Sequence, residues 1–437
     1  MEKKKVLIIG GVACGAKTAA RLARLAPEFD ITILERGEHL SVAGCGFPYF
    51  VGDVVKEYKD LVCTPLGIVR DANFFRNVKN IAVHTGHMAT RIDREKKVVA
   101  ATDTASGEER LFPYDELVLA TGASPIRPPI PGNDLSRVFT LWTMPDAMAM
   151  KSAIDAGSVK SAVIIGGGLI GMEVVEALVD RGISVSVADI QPTPLPALIG
   201  EDFGLRVTKV LRQKGVGFYG GEKVVEIIGE NGVVTGVRTD KRTLPADMVL
   251  LAVGIRPNTI LAKEAGLELH PNGTIVVDEC LRTSDPAIWA VGDAVQVKDA
   301  VLGGMTMMPL AGPANRQARL AQKNPLPLSV TSAPQRVHLP TTAPFGGAAN
   351  SDAYSANGAA WAATKPSVSA AIPSINDASA SSARSTCFSF CSHSAVSSGD
   401  LISSGSMAMR FSPLPVGTSN FLLRSTNPVR TSFSMIP

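Results

Sequence analysis

No apolar run in this 437-residue chain reaches the roughly 18 residues that a membrane span requires. We therefore expect no transmembrane helix. The start, MEKKKVLIIGG, joins basic residues to a short apolar run, as a secretory leader does. No small-residue cleavage site follows it, and VLIIGG runs straight into a glycine turn, so the segment reads as a buried strand. Neither sign of charge is in excess: 43 Lys and Arg against 40 Asp and Glu leave +3. No basic patch carries interleaved aromatics, which argues against nucleic acid as a partner. Cysteine is sparse, with six residues scattered along the chain. That usage argues against a disulfide framework and points to a reducing cytoplasm.

Acidic residues are almost missing from one region. Residues 321–437 hold no Glu and three Asp (Asp352, Asp377, Asp400), while about one residue in five is Ser. Such a segment has little apolar surface to bury and is expected to be largely disordered. It reads either as a natural flexible tail or as a frame-shifted, aberrant continuation of a folded domain. The second is favoured because the break falls inside a helical pattern, GPANRQARLAQ, instead of at a linker. Cys387, Cys391 and His393 lie close together there, but no second ligand pair accompanies them, so no metal site is expected.

Residues 1–320 have a different character. Short β-branched runs alternate with longer helical patterns, as an α/β protein built from βαβ units requires. In VLIIGGVACGAKTAARLARL a strand enters a turn at Gly10 and Gly11, and Gly15 opens a helix. About twenty residues later Glu35 ends the next strand, placed for ribose hydroxyls. The middle glycine of the usual pattern is Val12. In SAVIIGGGLIGMEVVEALVDRGISVSVADI, Gly166, Gly168 and Gly171 fit G-x-G-x-x-G fully, and Asp189 ends the next strand. An acid there accepts from ribose hydroxyls and repels a 2′-phosphate, so NADH is expected over NADPH. Glu173 is either a solvated acid near the helix start or a residue facing the nicotinamide. Two dinucleotide sites in one chain suggest an electron relay between a soluble hydride donor and a bound flavin. YDELVLATGASP and IWAVGDAV are strands followed by small-residue turns. Asp293 in the second is placed either to cap a helix or to hold the ribityl chain of FAD.

Together GGVACG with Glu35, ATGASP, GGGLIGME, LAVGIRPN and AVGDA resemble the FAD-dependent pyridine nucleotide–disulfide oxidoreductases from Met1 to about Leu320. The resemblance implies two Rossmann-like domains, with an NAD domain (119–246) inserted into an FAD domain (1–118 and 247–320) and the 321–437 segment following. It places FAD against Gly10, Gly11, Ala13, Gly15, Glu35, Arg36, Ala120, Thr121, Gly122, Gly292, Asp293 and Ala311. It places NADH against Gly166, Gly168, Ile170, Gly171, Glu173, Asp189 and Gly254. Members continue into a C-terminal domain that forms a homodimer; residues 321–437 do not resemble it. An inactive, truncated flavin-binding protein is therefore one reading of the chain.

In the stretch SVAGCGFPYF, Cys45 is the expected redox residue. Phe50 stands where the second cysteine of a C-x4-C pair would. The single-cysteine members include CoA-disulfide reductases, persulfide reductases, and NADH oxidases and peroxidases. The last two carry a histidine in the first glycine turn, where this chain has Ala13, so peroxide chemistry is disfavoured. CGFPY looks like the stretch of the CoA-disulfide reductases, although Gly44 replaces their Asn. Lys17, Arg21 and Arg24 share one helix face; that is either a solvated basic face or, with Ser41, the place where the family holds CoA. The expectation is electron transfer from NADH through FAD to Cys45 and on to CoA disulfide or a persulfide, with oxygen or peroxide as the alternative acceptor. Cys14 is expected to pack, and Cys63 and Cys280 to be structural.

Overall fold

The computed structural model describes residues 3–299, 301 and 303–321. The 321–437 segment beyond its first residue, with Cys387, Cys391 and His393, lies outside the described residues.

The chain opens with β1 (Lys5–Ile9), α1 (Cys14–Leu25) and β2 (Asp30–Leu34). A 3-10 turn at Gly44–Gly46 leads into the short helix α2 (Phe47–Val51), then α3 (Ala72–Lys79) and β3 (Ala82–His84). An antiparallel meander follows: β4 (His87–Asp93), β5 (Val98–Asp103) and β6 (Glu109–Pro113). Next come β7 (Glu116–Leu119), β8 (Ala123–Pro125), β9 (Val138–Phe139), α4 (Met144–Asp155), β10 (Ser161–Ile165), α5 (Leu169–Asp180), β11 (Ser184–Asp189), α6 (Pro196–Gln213) and β12 (Gly217–Gly220). A second meander, β13 (Val224–Glu230), β14 (Val233–Thr239) and β15 (Thr243–Pro245), precedes β16 (Met248–Leu251). The described chain ends with β17 (Ile255–Pro257), α7 (Ile260–Glu264), β18 (Ile288–Ala290) and α8 (Ala311–Leu320).

Two parallel sheets result. The first has the order β18-β7-β1-β2-β3 and the second β12-β11-β10-β16-β9. Every strand of the second lies between β7 and β18 in sequence, so the second unit is inserted into the first. Its last strand, β16, pairs in parallel with β10 and ends at Leu251. From there the chain leaves the second sheet through β17, which pairs with β8.

The central strands read as near-continuous apolar runs because both their faces are covered. Val6, Leu7 and Ile8 of β1 are buried, as are Ala162 to Ile165 of β10. Trp289 of β18 is buried with Val6 and Ile8 on one face of the first sheet. The Cys45 segment packs elsewhere. Val42, Phe47, Phe50, Val51, Val55, Leu61 and Val62 belong to the core that α4 and α5 form over the second sheet, with Met150, Val174 and Leu178. Gly52 lets α2 close on α5: a Cβ there would press on Ala177. A five-residue helix has too few internal hydrogen bonds to hold itself, so this burial positions it. No helix among the described residues is long and apolar enough to cross a membrane.

Phe50 is 6% exposed. Replacing Phe50 with Ala is expected to cost about 3 kcal/mol through lost burial and a cavity. The midpoint of chemical denaturation would report it; an unchanged midpoint would show that α2 does not lean on the second sheet.

Candidate active site

The two glycine turns repeat one construction. β1 and β10 each end at a glycine in the left-handed region, Gly10 at φ 105° and Gly166 at φ 108°. Gly10 N donates to Leu34 O at 2.8 Å and Gly166 N to Ala188 O at 2.9 Å. A Cβ on Gly15 would collide with the Gly10 carbonyl, and one on Gly171 with the Gly166 carbonyl. The acids match as well. Glu35 accepts from Gly11 N at 2.6 Å and Gly37 N at 2.8 Å. Asp189 accepts from Gly167 N at 2.5 Å and Gln191 N at 2.8 Å. Backbone donors thus orient each carboxylate, and lone pairs remain for ribose hydroxyls. Neither α1 nor α5 has a side-chain cap or an acid in its first turn. Their first N–H groups remain available to a pyrophosphate.

The other predicted cofactor residues surround these turns. Ala120 N donates to Ile9 O at 2.8 Å, and a Cβ on Gly10 would strike the Ala120 carbonyl. Thr121 Oγ1 donates to Asn258 O at 2.6 Å, and Asn258 N reaches Gly122 O at 2.9 Å. Ala13 and Arg36 are exposed, Gly254 has φ 109°, and Ala311 is the first residue of α8. Ile170 and Glu173 lie on α5, both half-buried. Glu173 is the fifth residue of α5, beyond its first turn. Burial, and secondarily Glu176, push its carboxyl up, so it is not a solvated acid at the helix start.

Asp293 decides whether a polar ligand fits between the first turn and β18. It begins no helix, since it lies in a 3-10 turn over Gly292–Ala294. Burial alone pushes its carboxyl up to about 6, with no compensating donor among the described residues. A half-buried carboxyl that burial pushes toward its neutral form suits the hydroxyls of a ribityl chain. Gln317 Oε1 accepts from Gly292 N at 2.6 Å and so ties this turn to α8. Pattern reading missed Gln317 and Asn258. Gln317 occupies an inward position of α8, which its helical spacing could have revealed; Asn258 ends the LAVGIRPN stretch, but nothing in the sequence marks its link to Thr121.

Cys45 sits half-buried in the Gly44–Gly46 turn, just before α2. Ala43 N donates to Leu61 O at 2.8 Å, and Gly46 leaves room for Leu61. Ser41 takes a left-handed φ of 51°, its N donating to Gly11 O at 3.0 Å, which joins this segment to the first glycine turn. No disulfide joins Cys14, Cys45, Cys63 and Cys280. Cys14 is buried and its Sγ donates to Ala314 O at 2.9 Å. Burial, and then the Asp293 charge, drive its thiol well above the ordinary range, so it does not ionise. Cys63 and Cys280 are half-buried.

Lys17 and Arg21 are half-buried and Arg24 is exposed on α1. Burial lowers the Lys17 pKa first, followed by the charges of Arg319, Arg24, Arg21 and Lys79. α8 and α3 therefore add cations to the face predicted from α1 alone. Arg21 Nε is buried without a hydrogen-bond partner. Cations gathered this way suit a multiply charged anion. Among the described residues, no group of three or more His, Cys, Asp or Glu could hold a metal ion.

A family model described as pyridine nucleotide-disulphide oxidoreductase matches residues 4–318. The chain is 35% identical over 326 residues to a protein of Pyrococcus furiosus named NAD(P)H sulfur oxidoreductase (CoA-dependent), covering 74% of this chain and 70% of that one. It is 32% identical over 320 residues to the NADH oxidase of Methanocaldococcus jannaschii, covering 73% and 69%. The structure of an NAD-dependent persulfide reductase from A. fulgidus superposes with a TM-score of 0.71 at 38% identity. The match covers 72% of this chain and 58% of that one, so this chain spans under two thirds of that relative.

Without a bound ligand, an ionised Asp293 weakens the fold. Its contribution is most favourable below the ordinary value of 3.8 and is lost as pH rises through about 6. Asp293→Asn in the ligand-free protein should therefore be more stable than the parent by up to about 3 kcal/mol at pH 7.5. The gap should close toward pH 4.5. Denaturation curves at the two pH values test this; a gap independent of pH would refute it.

Proposed function

The chain belongs to the pyridine nucleotide-disulphide oxidoreductases, and from that premise we propose that it uses NADH to reduce CoA disulfide or a related persulfide or polysulfide at Cys45. The observation that carries this reading is a half-buried thiol four residues after Ser41, whose N donates to Gly11 of the first glycine turn, with buried Phe50 where a resolving cysteine would stand. FAD is assigned to the turn of Gly10, Gly11 and Gly15, with Glu35, Ala120 to Gly122, Gly292, Asp293 and the start of α8. NADH is assigned to the turn of Gly166, Gly168 and Gly171, with Asp189. The sheet β18-β7-β1-β2-β3 is accordingly the FAD domain and β12-β11-β10-β16-β9 the inserted NAD domain. Asp189 favours NADH over NADPH, because a 2′-phosphate would meet its carboxylate.

Bound FAD and NADH together supply the electron pair. Cys45 supplies the nucleophile. Its thiolate attacks one sulfur of the substrate disulfide, so a new sulfur–sulfur bond forms as the old one breaks and one thiolate leaves. Reduction of the mixed disulfide releases the second thiol and restores Cys45. The sum is NADH, a proton and one disulfide giving NAD and two thiols. Lys17, Arg21 and Arg24, with Ser41 four residues before the thiol, hold the phosphates of a CoA-type substrate. This chemistry requires a reducing compartment, which we take to be the cytoplasm.

Oxygen is the competing acceptor, favoured by the likeness to an NADH oxidase. The exposed Ala13 offers no acid–base group for peroxide chemistry. Cys45→Ser should lower NADH turnover with CoA disulfide or polysulfide at least about 100-fold. Bleaching of the flavin by NADH should survive. Unchanged rates with CoA disulfide, polysulfide and oxygen would overturn the assignment, and absence of bleaching in the parent would mark an inactive flavin-binding protein.

A further inference from the structure

We infer that Lys151 and Arg181, two cations from helices of the second sheet, are positioning residues that hold the Cys45 helix in register. This rests on the reaction proposed for Cys45. Lys151 Nζ donates to Asp53 Oδ1 at 2.8 Å and lies 3.4 Å from Asp155 Oδ2. It also stands over the Phe50 ring, 5.5 Å from the centroid. Arg181 Nη2 pairs with Asp155 Oδ1 at 2.6 Å, and its Nη1 donates to Val51 O at 3.2 Å. Lys56 closes the outer side on Asp53 Oδ2 at 2.6 Å. The charges form a loop that leaves α2 at Asp53, crosses α4 through Lys151 and Asp155, and returns through Arg181 to the last carbonyl of α2.

Both ends of this loop grip the same turn of chain. Asp53 follows α2 by two residues and adopts a left-handed φ of 65°. Its N donates to Phe50 O at 3.1 Å. Val51 O is one of the carbonyls that a helix end leaves unpaired, and Arg181 satisfies it. The Lys151 side chain is 13% exposed, so its pairing is screened less than a surface contact. Hydrogen bonds from Lys151 and Lys56 hold the Asp53 carboxyl down to about 2, and Arg181 holds that of Asp155 below its ordinary value. The loop thus stays charged at any working pH.

α2 spans about 8 Å, so the loop sits roughly 10 Å from Cys45, at the far end of a helix that relies on its surroundings to stay in place. Arg181 also directly follows α5, the helix that starts at the second glycine turn. One cation therefore links the helix of the nucleotide turn to the helix of the thiol. A displacement near 1 Å at a reacting atom lowers rates severalfold or more.

Lys151→Met keeps the aliphatic stem over Phe50 and removes the charge. In the full chain, Cys45 alkylation by iodoacetamide, followed on the Cys45 peptide by mass spectrometry, should accelerate about threefold or more as α2 loosens. Turnover with CoA disulfide should fall about fivefold, with the KM for NADH unchanged. Lys151→Arg should restore most of both. Asp155→Asn, which loosens both cations from an exposed site, provides the same readout should Lys151→Met not fold. Alkylation and kcat both within twofold of the parent, in whichever of these variants folds, would overturn the inference. Alkylation needs no turnover, so it reports on the loop even if Cys45→Ser shows the reaction to be misassigned.

Discussion

The structure depends on where α2 buries Phe47, Phe50 and Val51. These residues follow the first sheet's β2 in the chain, yet their side chains fill the core over the second sheet. Cys45 immediately precedes them. The thiol is thus carried by one unit's sequence and positioned by the other unit's core. A short helix adopts the orientation of whatever buries it. Any motion of the second sheet relative to the first would therefore reach Cys45, which suits the proposed relay between a cofactor on each sheet.

The two glycine turns show how little chemistry is needed to build such sites twice. In each, a positive-φ glycine ends a strand, a second glycine admits the helix against the first one's carbonyl, and an acid accepts from the backbone of the turn. The differences are informative. Val12 replaces the middle glycine of the first turn and is exposed, so its side chain points away from the close approach. Glu35 is one methylene longer than Asp189 and more deeply buried. The construction tolerates change where nothing presses on the backbone and not where a Cβ would meet a carbonyl.

Charge is distributed with equal economy. Burial pushes the Asp293 carboxyl up, while Glu35 and Asp189 receive two backbone donors each. The Cys14 thiol is held neutral by burial, which leaves it out of the redox role proposed for Cys45. Lys17 lies in a field of like charges that weakens its own protonation and makes an anion the natural complement.

The sequence by itself determined the local devices: both glycine turns, their acids, the lone cysteine and the basic face of α1. Each is a spacing of a few residues within one strand, turn or helix, and such spacings follow from backbone geometry alone. Tertiary structure decided which distant groups meet. Gln317 reaches Gly292, Lys151 reaches Asp53 98 residues away, and Asn258 reaches Thr121 137 residues away. It also decided that the Cys45 helix packs on the second sheet and that the chain leaves that sheet at Leu251. Periodicity shows that a face is apolar, but it does not name the face that covers it. That choice belongs to the path of the whole chain.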